Sequence, residues 1–168
     1  MIAPLSVTDF AARCGAELHC EIDKLLEVSG LAIDSRQVKP GDLFVAIPGV
    51  KVDGHDYLEA ALERGAGAAL VQQQVSSALP QLIVSDSEAA LQTFGAMTRA
   101  AYDGILVGIT GSAGKTTAKN MLAEILSRAG SVVATKGNQN NELGVPLTLA
   151  DLNNDTEYAV LELGAGKP

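Results

Sequence analysis

One stretch decides the fold of this chain: Ile105-Leu-Val-Gly-Ile-Thr-Gly-Ser-Ala-Gly-Lys-Thr-Thr117. The apolar, β-branched run over 105–109 predicts a buried strand, covered on both faces, of a parallel sheet. A helix should begin at Lys115 and end before Gly130, which we expect as the residue just after its C-terminus. The apolar residues recur at helical spacing and predict a single buried stripe: Ala118, Met121, Leu122, Ile125, Leu126 and Ala129.

The glycine turn between this strand and this helix predicts phosphate binding. Free N–H groups and the positive end of the dipole make a helix N-terminus an anion site, and glycines let phosphate oxygens approach. Lys115 would supply a point charge and Thr116 a hydroxyl for Mg²⁺. The usual spacing needs glycine at 109, where this chain has Ile109, so the loop is a variant; a plain turn with a solvated lysine is the alternative. The predicted nucleotide contacts are Gly111, Ser112, Ala113, Gly114, Lys115, Thr116 and Thr117.

Glu162 is the second informative residue of this half, at the end of the predicted strand 158–163. An acid at the carboxyl end of a parallel strand lies on the ligand side of the sheet, where it can hold Mg²⁺. The alternative is an acid at an exposed strand end. We predict Lys115 and Glu162 as the catalytic residues and Thr116 and Glu162 as the metal ligands.

The chain divides into two predicted α/β parts. Ser85-Asp-Ser87 can cap a helix over 88–102, so we place the boundary there, with domains 1–84 and 85–168. In the second domain, the strand and helix of the glycine turn precede a strand over 132–135, a short helix or turn over 147–152 and a strand over 158–163. This order predicts the beginning of a doubly wound parallel sheet.

The first domain is predicted as a small α/β unit. A helix over 9–14, capped by Ser6 or Thr8 and ended by Gly15, should open it. A second helix should run from about 57 to 64 and end at Gly65, with His55 as a residue of the turn before it rather than a catalytic one. The predicted strands span residues 31–33, 43–47, 68–71 and 82–84.

The amino-acid composition and net charge of the chain argue against several classes of function. Of the 168 residues, 47% are hydrophobic and 19% charged, which is typical of a chain that forms a core. The net charge of −8 argues against a nucleic-acid or anionic-membrane partner. Cys14 and Cys20 lack metal or redox spacing, so we expect two reduced, partly buried thiols. Without a predicted signal peptide or membrane span, we expect a cytoplasmic protein.

Several motifs together resemble one family, the Mur ligases, over all 168 residues. Besides the phosphate loop at 110–117, they are Gly137-Asn-Gln-Asn-Asn-Glu-Leu-Gly-Val-Pro-Leu-Thr148, Glu162-Leu-Gly-Ala165, Asp34-Ser-Arg36, Gly41-Asp-Leu-Phe-Val-Ala46 and Asp53-Gly-His-Asp56. The asparagine-rich loop, defined here as residues 137–146, is most similar to the branch that adds D-alanyl-D-alanine to UDP-N-acetylmuramoyl-tripeptide.

The resemblance implies a monomeric, three-domain ligase of peptidoglycan precursor synthesis that uses ATP and Mg²⁺. This chain would carry the UDP-sugar domain and the start of the ATPase domain, and so would be a fragment, inactive alone. ATP would phosphorylate the tripeptide carboxylate, and the amine of D-alanyl-D-alanine would attack the acyl phosphate. The sequence leaves open whether the third residue of the tripeptide is diaminopimelate or lysine.

The resemblance also implies substrate contacts. Ser35 and Arg36 would bind the UDP moiety, and Asn138, Asn140 and Asn141 the muramoyl-peptide. The alternatives are a surface ion pair for Arg36 and, for the asparagines, a loop that satisfies its own backbone.

Four other functions stay open at this point. They are a diaminopimelate- or lysine-adding Mur ligase, a folylpolyglutamate or cyanophycin synthetase, a phosphate-loop kinase or GTPase, and a UDP-sugar-binding fragment without catalysis. The third is disfavoured because the sequence has no Asn-Lys-x-Asp motif and no recognisable lid.

Overall fold

A computed structural model describes residues 5–19, 26–49, 52–137 and 139–164. The chain divides into two compact units, residues 3–93 and 94–168, so the division falls within a helix, Ser87–Ala101. The domain boundary at 84/85 stays a prediction. Three features of the sequence analysis lie outside the described residues, namely Cys20, Asn138 and the stretch 165–168.

The first unit is built on a five-stranded sheet. Its order is β2-β7-β6-β5-β4, with β4 to β7 parallel and β2 antiparallel at one edge, while β1 and β3 form a separate antiparallel pair. The bounds are β1 Leu5–Ser6, α1 Val7–Cys14, β2 Glu17–His19, β3 Glu27–Val28, β4 Gly30–Ala32, β5 Asp42–Val45, α2 Leu58–Glu63, β6 Ala68–Val71 and β7 Gln81–Ile83. Short 3₁₀ helices span Ser35–Gln37 and Gly54–Tyr57.

The predicted α/β unit is confirmed, and its four predicted strands are β4 to β7. The bounds of β6 are as predicted, and the ends of the other three are shifted by one or two residues. The sequence analysis missed β1, β2 and β3, because two or three residues are too short to show an alternating pattern. The parallel strands enclose a core with α2, in which Phe44, Leu58 and Val71 are almost fully buried.

Local capping explains where α1 begins. The Ser6 hydroxyl accepts a hydrogen bond from the Asp9 N–H at 3.3 Å, so Ser6 rather than Thr8 is the cap and the helix begins two residues before the predicted start. Gly15 follows the helix with a φ of 68°, as predicted for a left-handed end. The only cysteine within the described ranges, Cys14, is free and half-buried.

The second unit contains a parallel sheet of three strands in the order β8-β10-β9. The last strand in sequence lies between the other two, with Glu162 aligned to Ile109 of β8. The elements are α3 Ser87–Ala101, which begins in the first unit, β8 Ile105–Ile109, α4 Lys115–Leu126, β9 Val132–Ala134, α5 Gly144–Ala150 and β10 Tyr158–Glu162. The predicted parallel strands and the helix after the glycine turn are therefore confirmed.

Three details of the prediction around β8 and α4 are wrong. Ile105 is 60% exposed, because β8 is an edge strand that pairs with β10 alone within the described ranges. The apolar stripe of α4 is only partly buried, since Met121 and Ile125 are each 62% exposed. The helix ends at Leu126, and Gly130 does not adopt a left-handed conformation.

The buried residue of α4 is instead Lys119, which is 3% exposed. Helix α4 packs on β9 and β10 through the face that carries Lys119, Leu122 and Leu126. Leu122 and Leu126 of the predicted stripe are therefore half-buried, whereas its other members are exposed. None of the helices in the described part of the chain combines the length and apolarity needed to cross a membrane.

Candidate functional site

The phosphate loop joins β8 to α4, and its backbone needs glycine at two positions. Gly111 has a φ of 146° and Gly114 a φ of 76°, conformations that residues with a side chain rarely adopt. A Cβ at Gly114 would have no heavy atom within 4 Å, so backbone conformation rather than space selects glycine there. Gly114 also caps α4 without a side chain, which leaves the first-turn N–H groups facing the loop.

The seven predicted nucleotide contacts form one turn at the N-terminus of α4. The Lys115 Nζ donates to the Gly111 carbonyl at 2.7 Å, so the ammonium closes back over the loop. Ser112, Ala113, Thr116 and Thr117 are exposed. The turn is accessible and holds a cation and the N-terminus of a twelve-residue helix, which together suit a polyphosphate.

Glu162 is buried rather than at an exposed strand end, so that alternative is wrong. It is 2% exposed at the end of β10. Asn140 Nδ2 donates to its Oε1 at 2.9 Å, and the Glu162 N–H donates to Thr135 Oγ1 at 3.0 Å. Its Oε2 is buried without a hydrogen-bond partner among the described residues and lies 3.8 Å from the Lys119 Nζ.

The surroundings keep Glu162 ionised. The hydrogen bond from Asn140 lowers the pKa of its carboxyl, and the Thr116 hydroxyl, Lys119 and Lys115 act in the same direction. Burial opposes them by raising the pKa, and the net shift is downward. Because the Thr116 hydroxyl is among these causes, the structure brings both predicted metal ligands together at the phosphate loop.

A carboxylate and a hydroxyl oxygen fit Mg²⁺, which prefers hard oxygen ligands. The buried Glu162 Oε2, without a donor, is the acceptor that a cation would satisfy. The described residues contain no group of three or more His, Cys, Asp or Glu side chains that could hold a metal. The donor set thus suits an ion that keeps waters and nucleotide oxygens as its other ligands.

The asparagine-rich loop uses its side chains within the fold. Asn141 Oδ1 accepts from the Gly144 N–H at 2.9 Å, as the alternative of a loop that satisfies its own backbone predicts. Asn140 binds Glu162 through its side chain and accepts from the Gly164 N–H through its carbonyl at 2.7 Å. The substrate-binding roles of Asn138, Asn140 and Asn141 stay predictions.

The predicted UDP contacts lie in the first unit, on the 3₁₀ helix after β4. Ser35 is buried, whereas the Arg36 side chain is 83% exposed. The Arg36 Nε and Nη2 donate to the two Asp34 carboxylate oxygens at 2.9 and 2.7 Å, so the surface ion pair weighed as the alternative is present. These hydrogen bonds lower the pKa of Asp34 to about 2. The UDP-binding role of Ser35 and Arg36 remains a prediction.

Sequence reasoning missed Lys119, whose Nζ donates to the carbonyls of Thr135 at 2.7 Å and Gly137 at 3.0 Å. A signal was available, because Lys119, Leu122, Ala123 and Leu126 follow the same helical spacing as the predicted stripe. The predicted position of His55 before the second helix is confirmed. His55 lies in the 3₁₀ helix that leads into α2, with Nδ1 2.6 Å from Asp53 Oδ1 and Nε2 accepting from the Gln72 N–H at 2.9 Å.

Comparisons with known proteins place both halves of the chain in the same family. The model of the Mur ligase family, catalytic domain, matches residues 27–108, and that of the Mur ligase middle domain matches residues 109–167. The UDP-N-acetylmuramoyl-tripeptide--D-alanyl-D-alanine ligase of Escherichia coli is 44% identical over 140 residues, which cover 83% of this chain and 31% of that protein.

Solved structures of Mur ligases also match this chain. MurF from Acinetobacter baumannii matches with a TM-score of 0.85 and 34% identity, over 98% of this chain and 36% of that one. The MurF ligase from Thermotoga maritima in complex with ADP matches with a TM-score of 0.72 and 36% identity, over 88% of this chain and 34% of that one. The chain spans about a third of the length of the relatives it matches.

Proposed function

The chain belongs to the Mur ligase family, and we propose that it forms the UDP-sugar unit and the first part of the ATP-binding unit of a MurF-type ligase. The reaction would join D-alanyl-D-alanine to UDP-N-acetylmuramoyl-tripeptide in the cytoplasm. Relatives with this activity in their names support the substrate class, at 44% identity for Escherichia coli and 42% for Haemophilus influenzae.

One observation carries the proposal. The buried Glu162 ends the strand next to β8, and hydrogen bonds from Asn140 and from the Thr116 hydroxyl at the start of α4 lower the pKa of its carboxyl. A phosphate loop and an ionised acid on adjacent parallel strands are the arrangement by which phosphate-loop enzymes bind the phosphates of ATP and Mg²⁺. The Thermotoga maritima relative was solved with ADP, which supports ATP as the nucleotide.

The proposed reaction has two steps. The terminal carboxylate of the tripeptide attacks the γ-phosphorus of ATP, which gives an acyl phosphate and ADP. The amine of D-alanyl-D-alanine then attacks the acyl carbon, and the new amide forms as phosphate leaves. The protein mainly positions the reactants and neutralises charge, because the activated carboxyl carries the chemistry.

Each residue of the site has a role in this scheme. The N–H groups of residues 111–116 cradle the β- and γ-phosphates, and the Lys115 ammonium moves from the Gly111 carbonyl onto them. Thr116 and Glu162 would hold Mg²⁺, which would supply positive charge to neutralise the phosphates. Glu162 suits this task because its lowered pKa keeps it anionic at neutral pH.

The substrate side of the scheme uses the remaining predicted residues. Asn138, Asn140 and Asn141 would lie near the muramoyl-peptide, since their loop follows β9 at the carboxyl edge of the sheet, where ligands of parallel sheets bind. Ser35 and Arg36 would bind the UDP moiety, with the exposed arginine as a charge-assisted donor to the pyrophosphate. We further propose a monomer.

The test is a ligation assay on the protein expressed from its complete open reading frame. With UDP-N-acetylmuramoyl-tripeptide, D-alanyl-D-alanine and MgATP, we expect the pentapeptide product and one phosphate per amide. Diaminopimelate or lysine offered with the UDP-dipeptide should give no product. Ligation of either free amino acid would instead assign one of the other Mur-type activities, and ATP turnover without any amide product would contradict the proposal.

A further inference from the structure

Lys119 is a buried cation that the proposed reaction does not use directly. It lies one turn after Lys115 on α4, yet it is 3% exposed, whereas Lys115 is accessible. Burial of an ammonium is costly unless hydrogen bonds and an opposite charge compensate it. The partners of this side chain therefore indicate why the fold keeps it.

Its partners join three separate segments. The ammonium donates to the Thr135 carbonyl just after β9 and to the Gly137 carbonyl at the start of the asparagine-rich loop. It also lies 3.8 Å from Glu162 Oε2, which is too far for a hydrogen bond but close enough for charge compensation. Thr135 is held a second time, because its hydroxyl accepts from the Glu162 N–H.

These contacts surround the Glu162 carboxylate from two sides. Asn140, from the asparagine-rich loop, donates to Oε1, while Lys119 faces Oε2. The loop that supplies Asn140 begins at Gly137, whose carbonyl Lys119 holds. A single side chain on the phosphate-loop helix thus fixes both the acid and the segment that orients it.

We propose that Lys119 is a positioning residue, a buried cation that fixes the end of β9 and the asparagine-rich loop against Glu162, and so orients the metal-binding carboxylate relative to the phosphate loop. This inference rests on the proposed function for the role of Glu162. Lys119 does not touch the nucleotide in this assignment, because two of its three donors bind backbone carbonyls and the third faces the carboxylate.

The first test needs no activity. Amide hydrogen exchange in the 168-residue chain is compared for the wild type and Lys119→Met at Gln139, Glu162 and Gly164. The N–H groups of Glu162 and Gly164 bond to Thr135 and Asn140, and that of Gln139 bonds to the Lys136 carbonyl between Thr135 and Gly137. We expect these amide hydrogens to exchange about tenfold faster or more in the variant. Local opening of the segment costs less free energy when the hydrogen bonds of Lys119 are absent. Lys136→Met is the matched control, since this neighbouring lysine is 74% exposed and pairs with Asp151 at the surface.

A second variant covers the case in which Lys119→Met does not fold. Lys119→Met combined with Glu162→Gln removes both buried charges, so no charge is left uncompensated. Faster exchange at Gln139 and Gly164 is again expected, since the carbonyls of Thr135 and Gly137 have lost their donor. Wild-type exchange rates in the folded variants would overturn the proposal.

The third measurement separates positioning from a merely structural role. In the protein from the complete open reading frame, Lys119→Met should raise the half-saturating Mg²⁺ concentration about 10-fold or more, as loss of a residue that orients a metal ligand does. The KM for D-alanyl-D-alanine should stay unchanged. A lower kcat with the Mg²⁺ requirement of the wild type would overturn the inference. Absence of ligation by the wild type would instead refute the proposed function, and hydrogen exchange would still test the Lys119 contacts.

Discussion

Lys115 is the cation of the phosphate loop, and its removal should stop catalysis without unfolding. Its ammonium donates a hydrogen bond to the Gly111 carbonyl within the same loop, so little of the fold depends on this side chain. We expect Lys115→Ala in the protein from the complete open reading frame to abolish measurable ATP hydrolysis, because developing phosphate charge loses its partner. Circular dichroism should match the wild type; normal turnover would contradict the nucleotide site.

Arg36 offers a direct test of the UDP site. Its guanidinium is exposed and already held by Asp34, so its remaining N–H groups are oriented for an anion. We expect Arg36→Ala to weaken binding of UDP-N-acetylmuramoyl-tripeptide about 10- to 100-fold, the range for a charged hydrogen bond. Arg64→Ala, an exposed arginine of the same unit, is the control. Equal dissociation constants for wild type and Arg36→Ala, by calorimetry at matched salt, would move the site elsewhere.

Asp34 makes the folded state sensitive to acid. Its pKa falls from 3.8 to about 2 on folding, chiefly through the hydrogen bond from Arg36, so the folded chain binds this proton less readily than the unfolded chain. The resulting stabilisation is complete above pH 3.8 and is lost as the pH falls toward about 2. We expect the gap in urea midpoint between wild type and Asp34→Asn to narrow as the pH falls from about 5 to about 3. A constant gap would refute this.

At the scale of secondary-structure elements, His55 stabilises the turn before α2. Because Nε2 accepts from the Gln72 N–H just after β6, Nδ1 carries the proton that faces Asp53, and the ring ties the turn to the sheet. His55→Phe would leave the Gln72 N–H without this acceptor, and we expect a loss of about 1 to 2 kcal/mol in the free energy of unfolding. Urea denaturation measures it.

The matched control for this variant is His19, the other histidine of the chain. It lies on the edge strand β2 and contacts the exposed side chain of Gln74. His19→Phe should change stability by less than about 0.5 kcal/mol, as is usual for surface positions. Equal losses in the free energy of unfolding for the two substitutions would show that the hydrogen bond to Gln72 does not stabilise the fold.

At the scale of the whole molecule, the chain is expected to bind substrates weakly and to make no product by itself. It spans 31% of the Escherichia coli relative. The described part of the second unit has three parallel strands, and Ile105 on the edge strand β8 is exposed. A nucleotide pocket usually encloses most of its ligand, which a loop on one sheet edge does not. We expect no pentapeptide product from the 168-residue chain and weak ATP affinity by calorimetry. Detection of UDP-muramoyl-pentapeptide would disprove this.

The sequence by itself determined the parts of the site that depend on local signals. The order of strand, glycine turn and helix around Lys115 follows from an apolar run, glycines that take positive φ and helical spacing, all within about twenty residues. The same signals predicted the α/β class, the end of α1 at Gly15 and the position of Glu162 at the end of a strand, whereas the structure decided between Ser6 and Thr8 as the cap. Parallel pairing next to β8 followed from the strand-helix-strand order.

Only the tertiary structure decided which side chains are buried and what they contact. Lys119 meets Thr135, Gly137 and Glu162, residues 16 to 43 positions away in the sequence, and Asn140 turns to Glu162 rather than outward. The exposure of Ile105, Met121 and Ile125 likewise depends on which elements pack against β8 and α4. Local periodicity identifies a face of a helix, but long-range packing selects the face that is buried, because burial depends on neighbours that local sequence does not encode.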